Sequence, residues 1–236
     1  MIDAGVDACK AGWIIIQRVR GTDGLFHCLA GSFTEAVEMM LRAAVVAVDM
    51  PIGLLDKAAP GGRICDRMAR AILGHPRGSS VFSPPVRSAL SARSYRQANA
   101  ANRASSSHNI GLSLQTYRIL SKLAEVDAAL TPQRQDRILE VHPELSFFEL
   151  NGGRPINEKK KSGQGLRARR ALLEAAGFVS IDAVIHSYKR NQVAADDIFD
   201  ACAACWSAGR IASGEAIRIP ERPALDSRGL RMEIWR

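Results

Sequence analysis

Four aspartates stand in settings that an ordinary surface acid does not occupy. Asp7 closes Gly5-Val6-Asp7 inside an apolar run, Asp49 ends Val45-Val46-Ala47-Val48-Asp49, and Asp197 and Asp200 lie three apart at the start of an Ala-rich stretch. Carboxylates are seldom buried unless they are paired or bound to a metal. Drawn together without a cation they repel, and at least one of them holds a proton. A hard divalent ion with oxygen ligands resolves that conflict. The chemistry it supports is in-line displacement at phosphorus, with one ion activating water and a second stabilising the leaving oxygen. Two Mg²⁺ or Mn²⁺ ions are therefore the expected cofactors. Asp7 would bridge them, Asp49 and one helix aspartate would hold them singly, and the other helix aspartate would orient the water, with Asp196 as support. Each acid also has a plainer reading: Asp196 and Asp197 as cap and first-turn acids of a helix, and Asp49 as an acceptor for the turn amides of Met50-Pro51-Ile52-Gly53.

Glu140-Val141-His142-Pro143-Glu144 adds two carboxylates and an imidazole. In a strand Glu140 and His142 face one side, which would bring Glu140, and with it His142 as support, to the acid cluster. Glu144 reads equally as a first-turn helix residue. The cations that would track phosphates are Arg63, Arg67 and Arg70 at helical spacing, Arg87, and the run Lys159, Lys160 and Lys161. Ser79 and Ser80, after Gly78, would add hydroxyl and amide donors. A solvated helix face accounts equally well for the three arginines, and a solvated loop for the lysines.

These residues need a sheet to position them. Residues 2–8, 13–19 and 25–30 read as three strands, the first two joined by a hairpin turn at Cys9–Gly12 and the third following the turn signal Gly21-Thr22-Asp23-Gly24. The capping box Ser32-x-x-Glu35 precedes a helix expected over 36–43, and the apolar run 44–48 reads as a strand covered on both faces. Entered through a helix, that strand is most simply parallel to the first and beside it, with Asp7 next to Asp49. From 55 to 136 the chain reads as a helical insertion, with helices at 63–73 and 113–130. A strand at 137–142, a helix at 144–150, a polar loop at 151–165, helices at 166–176 and 196–212, and short strands at 217–220 and 232–235 complete the expectation. Ala201, Ala204 and Ala208 would let the last helix approach the sheet closely. The fold class is α/β with a mixed sheet, in a single domain spanning 1–236.

Composition sets the outer bounds. With 236 residues, 47% hydrophobic and 24% charged, the chain has the material for a packed core and is neither disordered, collagenous nor a disulfide miniature. No apolar run approaches the ~20 residues that span a bilayer, and the start lacks a signal-peptide pattern, so no membrane is expected and the cytoplasm is the default compartment. The five cysteines lack disulfide-framework spacing, and Cys202-x-x-Cys205 reads as two small buried side chains. The net charge of +8 favours a polyanionic partner such as nucleic acid, and a homodimer is open.

In order along the chain, Gly5-Val6-Asp7 with Gly12-Trp13, Val48-Asp49-Met50-Pro51-Ile52-Gly53-Leu54, Arg63-x-Cys65-Asp66-x-x-Ala69-Arg70, Ser79-Ser80-Val81-Phe82-Ser83-Pro84-Pro85-x-Arg87, Gly111-Leu112-Ser113-x-Gln115, Glu140-Val141-His142-Pro143-Glu144-x-Ser146-Phe147 and Asp196-Asp197-Ile198-Phe199-Asp200-Ala201 resemble the family called domain of unknown function 429. The resemblance runs from about residue 2 to residue 235. It implies an RNase H-like fold, which starts with three antiparallel strands, a helix and a parallel fourth strand, and a predicted nuclease activity. The acid layout is also similar to that of Holliday-junction resolvases of the RuvC type, in which Asp7, Asp49, Asp197 and Asp200 take the places of the metal ligands. The competing expectations are a non-catalytic nucleic-acid-binding or scaffold protein on the same fold, and an ATP or small-phosphoester enzyme of the actin-like and sugar-kinase kinship. The second of these lacks a Gly-rich phosphate loop.

Overall fold

Successive apolar residues of the second strand divide between two faces, and that division organises the molecule. A computed structural model describes residues 1–22 and 24–236. The turn expected at Gly21–Gly24 contains Asp23, which lies outside the described residues. Strands β1 (Ile2–Cys9) and β2 (Gly12–Val19) form an antiparallel hairpin, and β3 (Leu25–Ala30) pairs antiparallel with β2. Helix α1 (Phe33–Met39) carries the chain over to β4 (Ala43–Val48), which lies parallel to β1, and β5 (Ile138–Glu140) lies parallel to β4. The strand order is β3-β2-β1-β4-β5, a five-stranded mixed sheet in an α/β protein.

Between β4 and β5 the chain is helical: α2 (Ile64–Leu73), α3 (Tyr95–Ala104), α4 (Leu114–Arg118), α5 (Leu120–Ala129) and α6 (Pro132–Gln135). After β5 come α7 (Pro143–Leu150), α8 (Gly163–Ala175), α9 (Ile181–His186) and α10 (Ala195–Ser213). Strands β6 (Arg218–Ile219) and β7 (Ile234–Trp235) pair antiparallel in a small sheet of their own. One face of the main sheet packs Ala4, Val6, Trp13, Ile15, Val46 and Val48 against Phe33, Ala36, Leu123 and Val126. The other packs Ile14 and Ile16 against Phe178, Phe199 and Cys202. No helix among the described residues is long and apolar enough to cross a membrane.

Several boundaries depart from the sequence pattern for identifiable reasons. The helix expected over 36–43 begins and ends earlier, because Ser32 accepts the Glu35 amide at 3.2 Å and Ala43 is drawn into β4. The helix expected over 113–130 is broken at Ile119 (φ −102°, ψ 6°). The strand expected over 137–142 stops at Glu140, and His142 becomes the N-cap of α7 by accepting the Glu144 amide. Helix α3, which was not expected, buries Ala98 and Asn102 with Tyr95 and Ala101 partly covered beside them; the stripe has helical spacing but is made of small and polar residues.

Helix α10 crosses β1 at very short range. A Cβ at Gly5 would stand 2.1 Å from the Ala201 carbonyl oxygen and 2.1 Å from the Cys205 amide nitrogen. Both obstacles are backbone and cannot rotate aside. Ala201, Ala204 and Ala208 are fully buried along α10, the last two against Ala47 and Val141. Gly5→Ala is therefore expected to cost about 3 kcal/mol, read as a lower urea midpoint with an unchanged slope.

Candidate metal centre

The parallel register puts Val6 opposite Val48, so Asp7, still within β1, and Asp49, just past the end of β4, stand side by side. The Asp49 amide donates to the Val6 carbonyl at 3.0 Å, which holds that register. Strand alternation sends Gly5 and Asp7 toward α10, and the first turns of α10 bring Asp200 down onto them. Asp7 (7% exposed) and Asp200 (2%) are buried, and Asp49 is half-buried. The three carboxylates each offer an oxygen within 4.8 Å of the others. Ser146 and Ser207 share a buried 2.8 Å hydrogen bond that fixes α7 to α10.

Burial pushes the Asp7 carboxyl well above the usual range, and the nearby Asp49 and Asp200 add to it. Asp49 is raised by burial and then by Asp200. Burial lifts Asp200 to about 6, with Lys160 opposing the rise. The Oδ1 of Asp200 is buried with no hydrogen-bond partner among the described residues. Three hard oxygen donors, one of them with an orphaned atom, form a set able to hold a divalent ion.

The remaining expected site residues divide by what they touch. Asp197 does not join the trio: its Oδ2 accepts the Ala194 amide at 2.9 Å, the plainer first-turn role. Asp196 lies 3.7 Å from the exposed Lys161. Glu144 is buried against Arg169, and its charge acts on Asp49 and Asp200 from one layer further out. His142 accepts the Glu144 amide at Nδ1, which places its proton on Nε2; burial depresses its pKa and keeps the ring neutral.

Glu140 turns away from the trio. Arg63 grips both of its oxygens, at 2.6 and 2.8 Å, and Glu140 also accepts the Ile52 amide at 2.6 Å. The expectation that Arg63 tracks phosphates is corrected by the same contacts. The residue is 2% exposed, and its guanidinium is paired with Asp66 at 2.7 Å and donates to the Ile52 and Gly53 carbonyls. Arg63 therefore pins the segment that follows Asp49.

Arg87 is likewise committed, to Asp127 at 3.0 Å and to Asp226. Arg70 donates to the Val81 and Gly61 carbonyls, and exposed Arg67 donates to the Gly62 carbonyl. The Ser79 and Ser80 hydroxyls donate locally, to the Pro76 and Arg77 carbonyls. Lys159 and Lys161 are exposed, whereas Lys160 reaches in to form an ion pair with Asp200. Arg169 escaped the sequence reading, although Leu166, Arg169 and Leu173 share one face of α8 and Arg169 is fully buried there. A cavity of about 150 Å³ opens beside Asp7 and Asp49, walled by Met50, Phe82, Ile119 and His142.

Cys202 and Cys205 are buried and unpaired, and burial raises both thiols, Cys205 to about 12.

Fold and site together define a mixed α/β protein with a carboxylate trio able to hold a metal ion at the ends of its central parallel strands. The chain belongs to the family described as "Protein of unknown function (DUF429)", whose model matches residues 5–225. No curated protein and no solved structure matches it.

Metal should invert the pH dependence of stability at this site. The folded chain retains a proton on Asp200 up to about pH 6 that the unfolded chain releases near the ordinary carboxylate value of 3.8. Its favourable contribution is full below the lower value and lost as pH rises through the higher one. The rise in melting temperature on adding Mg²⁺ to EDTA-treated protein is therefore expected to grow between about pH 5 and about pH 7. A thermal-shift series in which Asp200→Asn removes that growth would verify the assignment.

Proposed function

We propose that this protein is a divalent-metal-dependent nuclease on an RNase H-like fold. The observation that carries the reading is the convergence of Asp7, Asp49 and Asp200, from three distant segments, on one place. The succession of three antiparallel strands, a helix and a parallel fourth strand is the one that fold begins with, which supports it. A dead site has no physical reason to keep three like charges, two of them buried, together.

In this reading Asp7, Asp49 and Asp200 hold Mg²⁺ or Mn²⁺. The metal supplies activation of water and stabilisation of the leaving oxygen. Arg169 and Glu144, paired with each other, act on the cage through their charges from behind, and the Arg63–Glu140 pair fixes the backbone that follows Asp49. Asp197, with one oxygen on the helix cap, is a weaker candidate for a second ion. Exposed Arg67, Lys159 and Lys161 are the cations left to meet a phosphate backbone.

The test is cleavage of labelled single-stranded, duplex and branched DNA and RNA in Mg²⁺, in Mn²⁺ and in EDTA. Metal-dependent cleavage is the expected result. Binding without cleavage under every divalent ion would instead establish a non-catalytic nucleic-acid-binding protein.

A further inference from the structure

The acid trio already contains a cation. Lys160 stands on the loop between α7 and α8, and its ammonium forms an ion pair with Asp200 Oδ2. Asp7 and Asp49 act on it as well, and together with Asp200 they hold it charged against the burial that opposes this. Neighbouring Lys159 and Lys161 point to solvent, so the contact is selective within a run of three identical side chains.

The loop is built to deliver that one residue. Ile156 is buried in the core shared with α8 and α10. Arg77 donates to the Asn157 and Glu158 carbonyls at 2.8 and 2.6 Å. The Lys159 carbonyl accepts from the Ser162 amide and hydroxyl at 2.9 and 2.8 Å, and it sits where a Cβ at Gly165 would be only 2.1 Å away. Backbone anchors thus flank Lys160 on both sides, while its side chain remains 35% exposed and has an open way out along its flexible stem.

We propose that Lys160 is the resident counter-cation of the trio, which a divalent ion must displace from Asp200 to bind, leaving a freed ammonium at the mouth of the site to meet an anionic ligand. This rests on the metal reading of the trio. An ammonium beside the carboxylates repels an incoming divalent ion and also competes for an oxygen that ion needs. The lysine therefore lowers metal affinity while keeping the metal-free site neutral enough to fold. It also links loading of the ion to exposure of a positive charge where a phosphate would arrive.

Mn²⁺ titration by calorimetry of wild type, Lys160→Met and Asp7→Asn, each stripped with EDTA, tests the proposal. Lys160→Met keeps the stem and removes the charge, and it is expected to bind Mn²⁺ about tenfold or more tightly than wild type. Equal or weaker binding by Lys160→Met, with Asp7→Asn losing binding, overturns the counter-cation and leaves the metal site standing. Absence of Mn²⁺ binding by all three overturns both. Brief acetylation of wild type with a lysine-directed reagent, read by mass spectrometry, supplies an independent measurement. Modification of Lys160 should rise severalfold on adding Mg²⁺ while Lys159 and Lys161 stay level, and an unchanged Lys160 in the metal-loaded protein overturns the displacement.

Discussion

Asp7→Asn is expected to lower turnover in the proposed nuclease reaction by about a thousandfold or more and at the same time to make the metal-free protein more stable. The two effects have one cause. Asp7 is 7% exposed and lies among Asp49 and Asp200, so its charge is costly to the fold wherever no divalent ion neutralises it. Asparagine keeps the shape and one acceptor for the Ala8 amide, which Asp7 now accepts at 2.7 Å, and removes the repulsion. In EDTA its melting temperature should exceed that of wild type, and in Mg²⁺ the order should reverse, because only wild type gains binding energy from the ion. Activity that survives the substitution, or a melting temperature that falls in EDTA, would remove Asp7 from the centre of the site. Asp49→Asn should behave alike with a smaller gain in EDTA, since its side chain is less enclosed.

Arg63→Met is expected to cost about 3 to 5 kcal/mol of stability, because it leaves the buried Asp66 and Glu140 carboxylates without their cation. The loss should reach the site as well. Arg63 donates to the Ile52 and Gly53 carbonyls, so Asp49 would lose the brace on the segment that follows it and Mg²⁺ affinity should fall. Arg63→Lys should rescue little, since one ammonium cannot grip Glu140 through two nitrogens and Asp66 through a third contact. Combining Arg63→Met with Asp66→Asn and Glu140→Gln should recover part of the stability by removing the stranded charges. Chemical denaturation of the three variants would show whether the penalty comes from those charges or from lost packing.

Much of the centre was legible in the sequence because its determinants are local. Asp7 interrupts one apolar strand near its end and Asp49 closes another, and the helical connection before β4 makes it parallel to β1, so their adjacency follows from strand order. Asp200 follows from helical spacing above an alanine face. What stayed hidden depends on partners brought from far away. The spacing of Arg63, Arg67 and Arg70 describes a helix face, but only the arrival of β5 reveals that Arg63 points inward to Glu140, 77 positions along the chain. Asp197 and Asp200 looked equivalent at three residues apart, yet the free amide of Ala194 claims the first. In the lysine run, nothing in the residue types distinguishes Lys160 from its neighbours; the difference comes from the turn that Ser162 closes.

The near-contact of β1 with α10 at Gly5 has a bearing on how an ion would come and go. Two of the three carboxylates ride on a pair of elements with almost no slack between them, so their amides should be among the slowest in the molecule to exchange hydrogen for deuterium. Partial opening of the peripheral helices would leave the cage whole. Release of a bound ion would then proceed by side-chain rotation, or else wait for the entire domain to unfold.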